Sequence, residues 1–282
     1  MITAVGASDL RRTLYETWET MAPGWDERRE WLRELSRPVA EHLVSRLAPQ
    51  PGETILELAA GLGDAGFEAA RRCPDCHVVV TDFSPSMVDA ARRRAEELGI
   101  ENAEFRVMDG ERLERADASV DGVLCRWGYM LMPDPAAALV ETRRVLREGG
   151  RLAFSVWAGP ERNPFAARPA RVLVERGHLP PPAPGAPGIF SMASRERIDD
   201  LLRGAGFAEW EVEEVPVTWS FASFDEYWRY LIEFVGAIGM AIRALPDDAR
   251  DSVREALEES VADLRANGGY TMPSVCLDVL AR

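Results

Sequence analysis

The chain has 282 residues, and 33 basic against 47 acidic side chains give it a net charge of −14. Every basic residue is arginine, which excludes chemistries built on a lysine amine: the Walker phosphate loop, the protein-kinase strand lysine, Schiff-base catalysis and the Tyr-Lys pair of some dehydrogenases. The acidic balance turns the molecule away from nucleic acid and anionic membranes, and 46% apolar residues are ample for the core of one or two domains.

The opening MITAVGASDLRR has no apolar run long enough for a signal peptide, so a cytoplasmic location with reduced cysteines is expected. Residues 8–47 read as helices punctuated by Trp18, Trp25 and Trp31, and Pro49-Gln50-Pro51-Gly52 ends them. A regular alternation follows. Strands are expected at 54–59, 77–81, 103–108, 120–125 and 151–157. Helices are expected at 64–72, at 85–98 with proline in the first turn, and at 135–147 closed by Gly149-Gly150. Arg92-Arg93-Arg94 and Arg143-Arg144 lie in these helices and read as solvated faces. Cys73-Pro74-Asp75-Cys76-His77 has the spacing of c-type haem attachment, but no export signal precedes it and His77 opens a strand. An inert turn is expected there, with haem or a C-x-x-C redox pair as alternatives.

The second half is less regular. Residues 159–188 are proline-rich and read as an irregular excursion. A helix capped by Ser194 runs to Gly204, a strand spans 208–217, two helices span 224–243 and 246–266, and a strand spans 274–280. The apolar stretch from Leu231 to Ile242 is short and contains Glu233, so it does not read as a membrane span. The fold class is therefore α/β: a doubly wound, mostly parallel seven-stranded sheet with an antiparallel last strand. A helical cap is expected over 1–48, a cofactor-binding core over 49–217 with an irregular insertion at 158–193, a helical lid over 218–268 and a final core strand over 269–282. The roughly fifty residues before the last strand are too long for a hairpin loop and belong beyond the carboxyl edge of the sheet, where such folds bind ligands.

The first strand runs into Gly61-Leu62-Gly63-Asp64-Ala65-Gly66, which satisfies G-x-G-x-x-G, and the second ends at Asp82, placed to accept from ribose hydroxyls. Alone, these features fit NAD or S-adenosylmethionine. Glu57 within the glycine-loop strand suits a ligand with a cationic amino-acid end, and Asp64 at the start of the next helix would repel a pyrophosphate. No hydride-transfer machinery is visible.

ILELAAGLGDAGF, TDFSPSMVDAARRRAEELG, FRVMDGERL and DGVLCRWGYMLMPDPAAALVETRRVLREGGRLAFSVW occur in the order and spacing of Rossmann-type S-adenosylmethionine-dependent methyltransferases. The chain resembles above all the ubiquinone/menaquinone-biosynthesis group, and Ala22-Pro23-Gly24-Trp25-Asp26 is similar to that group's Ala-Pro-x-Tyr-Asp segment. The resemblance implies that Glu57 and the backbone at Ala59, Gly61 and Gly63 hold the methionine end of the cofactor. It implies that Asp82 binds the ribose, that Phe83 and Met87 line the adenine, and that Asp109 beside Gly110 accepts from the adenine amino group. Arg126 would face the methionine carboxylate or the acceptor. Glu57 stands where Asp is commoner, Ala60 where Cys or Gly is, and Leu62 where Thr is.

Methyl transfer from a sulfonium needs a general base only when the acceptor must lose a proton. His178 and Tyr129 are the catalytic candidates, with Asp225, Glu226 and Glu233 also in acceptor-facing segments. Phe221, Phe224, Tyr227, Trp228, Leu231 and Phe234 form an apolar stripe in the lid, and Trp25, Trp127, Tyr227 and Trp228 are the expected acceptor contacts. No metal cluster is visible, which argues against a magnesium-dependent catechol methyltransferase. The expected activity is methyl transfer to a small hydrophobic or aromatic molecule, with no nucleic-acid or membrane partner. An NAD(P)-linked oxidoreductase, or an S-adenosylmethionine-binding protein of another reaction, are the alternatives. The acceptor atom and the oligomeric state are not legible.

Overall fold

A computed structural model describes residues 4–183 and 185–282. The expected cap begins at residue 1, and its first three residues lie outside the described ones. Two helices come first, α1 (Ala4–Glu27) and α2 (Arg29–Leu47). The alternation then runs β1 (Thr54–Glu57), α3 (Asp64–Arg72), β2 (His77–Asp82), α4 (Pro85–Leu98), β3 (Ala103–Val107), β4 (Val120–Arg126), α5 (Pro135–Val145) and β5 (Leu146–Trp157). Beyond it lie α6 (Pro164–Glu175), α7 (Arg195–Ala205), β6 (Trp210–Phe221), α8 (Phe224–Phe234), α9 (Gly236–Arg243), α10 (Asp247–Ser260), the two-residue β7 (Arg265–Ala266) and β8 (Gly269–Ala281). Helix starts follow local chemistry: the side chains of Ser84, Asp134, Ser194 and Ser223 each accept a first-turn backbone N–H, and α4 and α5 begin on proline.

The strands are ordered β3-β2-β1-β4-β5-β8-β6, with β7 hairpinned onto β8. β1 to β5 pair in parallel, and β8 lies antiparallel between β5 and β6. β6 therefore points the same way as β1 to β5, and residues 222–268 leave and return at the carboxyl edge of the sheet. Strand order reverses at β1 and β4, so right-handed crossovers put α3 and α4 on one face and α5 on the other. The crevice for a ligand opens at that reversal. The 222–268 segment shares the core of the sheet: Tyr227, Leu231, Ile242, Val253 and Leu257 are fully buried in the same apolar cluster as Leu56 and Val123.

Four expectations about elements need correction, the first being that the helix expected over 246–266 ends at Ser260, before β7 at Arg265–Ala266. α5 stops at Val145 rather than closing on Gly149-Gly150, because residues 147–150 form a bulge where β4–β5 pairing jumps from Val120↔Leu146 to Gly122↔Arg151, with Gly149 at φ 74°. The excursion after β5 contains α6, begun by Pro164 and held by the buried Asn163. The amide of Asn163 donates to Ala158, Gly159 and Val275 carbonyls, and its oxygen accepts from Val275 N. The helix expected over 224–243 breaks at Val235 and Gly236 into α8 and α9.

The arginine and cysteine readings change as well. Arg94 is only 2% exposed, so the arginine run of α4 is not uniformly a solvated face. Cys73 and Cys76 are joined in a disulfide rather than reduced, while Cys125 and Cys276 are free and buried.

Candidate cofactor and acceptor site

The carboxyl ends of β1 and β4 adjoin, and each turns through a non-glycine residue in the left-handed region, Ala59 at φ 48° and Trp127 at φ 60°. Each costs about 1–2 kcal/mol, and strain of this kind is characteristic of functional loops. The glycine turn begins directly after Ala59, with Gly61 at φ 56° and Gly63 at φ 82° opening α3.

Glu57 ends β1 and is fully buried. Burial pushes its carboxyl up to about 8, against the pull of the Arg126 guanidinium, and the N–H groups of Gly66 and Ala65 add to that pull. A Cβ at position 66 would stand 2.3 Å from Glu57 Oε2, so only glycine lets the first turn of α3 approach that carboxyl group. Asp64 continues the charge chain, bound to Arg94 at 2.7 Å and lying 3.6 Å from Arg126. Arg94 has two nitrogens without hydrogen-bond partners, one of them 3.8 Å from Glu30, and borders a cavity of about 30 Å³, room for one water. Glu57 Oε2 and Arg126 Nε are buried and also unpartnered. An orphan acceptor and an orphan donor are what the ammonium and carboxylate of an amino-acid end would satisfy, so this end fits the methionine portion of S-adenosylmethionine.

Asp82 ends β2 and is raised to about 6 by burial, although its oxygens accept N–H bonds from Gly61 at 2.9 Å and Ser84 at 3.0 Å. It thereby ties the glycine turn to the end of β2. Phe83 is half-buried beside it, and Met87 is buried on the first turn of α4. Asp109 follows β3, accepts from Glu111 N and keeps 43% of its side chain exposed. Gly110 packs against Met132, whose Cε a Cβ would meet at 2.8 Å. The fold thus brings Glu57, Ala59, Gly61, Gly63, Asp82, Phe83, Asp109 and Arg126 to one edge.

α1 lies across this edge. Arg11 pairs with Asp109 and Glu111, and Tyr15 meets Phe83 edge-on at 6.1 Å. Glu19 accepts from the hydroxyls of Ser84 and Ser86, and Trp25 sits against Gly61, 3.4 Å from where a Cβ would stand.

Aromatic rings continue from Trp25 without a gap. Trp25 meets Phe234 at 6.3 Å, Phe234 meets Tyr230 at 5.7 Å, and Tyr230 meets Trp219 at 4.9 Å. Trp219 meets Trp157 at 5.9 Å, Trp157 stacks on Trp127 at 4.5 Å, and the Arg126 guanidinium lies 4.6 Å over Trp127. The circuit starts at the glycine turn and returns to the residue that faces Glu57.

Several expected contacts lie elsewhere. The Tyr129 hydroxyl is buried and bonded to Thr142 at 2.6 Å, and burial raises its pKa well above the usual phenol range. It is a packed structural group rather than a base in the crevice. His178 follows the far end of α6, about 18 Å along that helix from Asn163 at 1.5 Å per residue, and nothing brings it to Glu57 or Asp82. The buried Tyr227 hydroxyl donates to Phe165 O at 2.8 Å, tying α8 to α6, and Trp228 stacks on Phe224 at 6.4 Å. Arg11, Glu19, Arg94, Trp157, Trp219 and Tyr230 carry no local signal of their place here. Only the tertiary fold sets it.

A methyltransferase-domain family profile matches residues 55–150. The chain is 38% identical over 205 residues to demethylmenaquinone methyltransferase of Thermus thermophilus, covering 72% of this chain and 76% of that protein. It is 29% identical over 219 residues to the Deinococcus radiodurans enzyme of the same name, covering 71% and 86%. The YcgJ protein of Bacillus subtilis superposes with a TM-score of 0.60 at 18% identity over 86% of this chain and 96% of its own. Among the described residues no helix is long and apolar enough to cross a membrane. The chain belongs to the Rossmann-type S-adenosylmethionine-dependent methyltransferases, close to the ubiquinone/menaquinone-biosynthesis group, and transfers a methyl group to a small molecule.

Proposed function

We propose that the acceptor is a flat, largely apolar aromatic molecule of quinone-like type, held between the glycine turn and the lid. The observation that carries this reading is the aromatic circuit from Trp25 at Gly61 to Trp127 under Arg126. Rings at these separations present faces and edges to a flat guest, so an aromatic acceptor is favoured. Two relatives are named for demethylmenaquinone, which agrees with that chemistry. The −14 net charge favours a small molecule over nucleic acid, and a cytoplasmic location suits such an enzyme.

The cofactor supplies a methyl group on a sulfonium, which is already a good leaving group. The protein's share is alignment and exclusion of water. In this reading Glu57 and Arg126 hold the amino-acid end, Asp82 accepts from the ribose, and Asp109 accepts from the adenine amino group with Phe83 beside it. Trp25 and Trp127 bound the acceptor. α1 covers both, so exchange of ligands requires this helix to lift.

Thermal-shift measurements with S-adenosylhomocysteine and with NADH test the assignment. S-Adenosylhomocysteine should stabilise the protein, NADH should not, and Asp82→Ala should abolish the effect. Stabilisation by NADH alone would overturn the cofactor site, and an undiminished shift in Asp82→Ala would overturn the ribose role.

A further inference from the structure

The buried polar atoms without partners include two indole nitrogens, Nε1 of Trp25 and Nε1 of Trp219. Trp25 already meets the glycine turn with the six-membered part of its ring. The second is the less expected, because Trp219 lies near the end of the edge strand β6, far in sequence from any cofactor motif. In β6 the residues 215, 217, 219 and 221 face inward and alternate with exposed ones, so the strand's pleat directs Trp219 into the molecule. There it is 3% exposed, stacked on Phe165 at 4.4 Å and flanked by Tyr230, Trp157 and Trp31.

An indole is a donor only, and a buried donor with no acceptor is costly. A phenylalanine would fill an aromatic core without that cost. Trp127, two rings along the same circuit, shows the contrast: its N–H is spent on Cys276 Sγ at 3.1 Å. Trp219 is thus a member of the aromatic circuit, the wall of the site under the acceptor reading, whose hydrogen-bond donor is unspent. It is in contact distance of Trp157 at the carboxyl end of β5, next to the strand end that carries Arg126.

We propose that Trp219 determines acceptor specificity, its indole N–H donating a hydrogen bond to a carbonyl or hydroxyl oxygen on an otherwise apolar ring system. This rests on the acceptor reading above and adds to it a polar reader on the β6 side. A site built to hydrogen-bond an oxygen discriminates strongly against the analogue that lacks it, because the donor is then left buried and unpaired.

The probes are 1-tetralone and tetralin, a benzo-fused ring with and without one carbonyl oxygen. Binding is measured by calorimetry on the full chain in saturating S-adenosylhomocysteine. The wild type should bind 1-tetralone about tenfold more tightly than tetralin. Trp219→Phe keeps an aromatic ring and removes the donor. It should erase that ratio while leaving tetralin binding and S-adenosylhomocysteine affinity within about twofold. Trp31→Phe, a neighbour in the same cluster, should keep the ratio and so controls for loss of packing. Should Trp219→Phe fail to fold, the indole N–H resonances of the wild-type protein give the answer: one should move downfield with 1-tetralone and none with tetralin. Equal binding of the two probes to the wild type, a ratio preserved in Trp219→Phe, or unmoved indole resonances would overturn the role of Trp219 and leave the acceptor class standing. Failure of both probes to bind at millimolar concentration would overturn the acceptor class and this inference together.

Discussion

Glu57 carries a proton at neutral pH in the ligand-free protein because burial raises its carboxyl to about 8. An ammonium group placed against it would favour the carboxylate, so under the proposed role of Glu57 cofactor binding should expel that proton wherever the pH lies below about 8. Affinity for S-adenosylhomocysteine should therefore fall as pH drops from 8 to 6, by up to about tenfold per unit, with proton uptake by the buffer seen in calorimetry. Glu57→Gln should bind more weakly at pH 8 and lose this slope. The same substitution should stabilise the ligand-free protein at pH 7. A carboxyl whose folded value lies above 4.5 destabilises the fold progressively as pH rises from 4.5 to 8, and glutamine removes that cost. A variant that keeps the pH slope would show that another group binds the ammonium. Glu57 and Asp82 stand out in the sequence because one lies in the strand before the glycine turn and the other ends the next strand, although β1 stops at Glu57 rather than at the expected residue 59. The Arg94–Asp64–Arg126 chain does not, since Arg94 sits in an arginine run whose neighbours Arg92 and Arg93 take surface partners.

The elements divide in the same way. α3 and α4 have the limits their caps and apolar spacing predict, because proline, glycine and serine fix helix ends locally. The split of the lid into α8 and α9, and the helix α6 inside a proline-rich stretch, depend on packing that no local pattern records. α1 is the clearest case: its helical character is legible, but its place across the cofactor edge is not. Arg11 holds the Asp109 carboxylate, so under the proposed adenine role of Asp109 helix and cofactor would compete for one acceptor. Both side chains are 43% exposed, and such a pair contributes about 0.5–1 kcal/mol. Arg11→Ala should therefore raise affinity for S-adenosylhomocysteine about twofold to fivefold in calorimetry. Unchanged or weaker binding would mean that Arg11 and the cofactor share Asp109 without conflict.

Across the whole molecule, the parallel half and the antiparallel edge are joined by contacts between residues far apart in the chain, and one of these is sensitive to pH. His42 on α2 binds Asp278 on β8 through Nδ1 at 2.8 Å and Glu213 on β6 through Nε2 at 3.2 Å. Arg46, one turn on, reaches Glu211 and the Asp278 carbonyl. Both imidazole nitrogens face carboxylates, so the arrangement wants the doubly protonated ring, and the hydrogen bond to Asp278 raises the imidazole above its usual 6.5. That contribution is complete below pH 6.5 and is lost as pH climbs through the raised value. Asp278 is lifted by burial to about 6, so its own cost appears between pH 3.8 and 6 and is constant above that. Between pH 6 and 9 the change therefore belongs to His42, once the background from Glu57 is removed by comparing a variant with the wild type under identical conditions. His42→Gln keeps a hydrogen-bonding side chain but cannot carry the charge. In urea unfolding it should be less stable than the wild type by about 1–2 kcal/mol at pH 6, with the gap largely closed at pH 9. A gap of equal size at both pH values would mean that His42 stabilises the α2–β8 contact by packing alone.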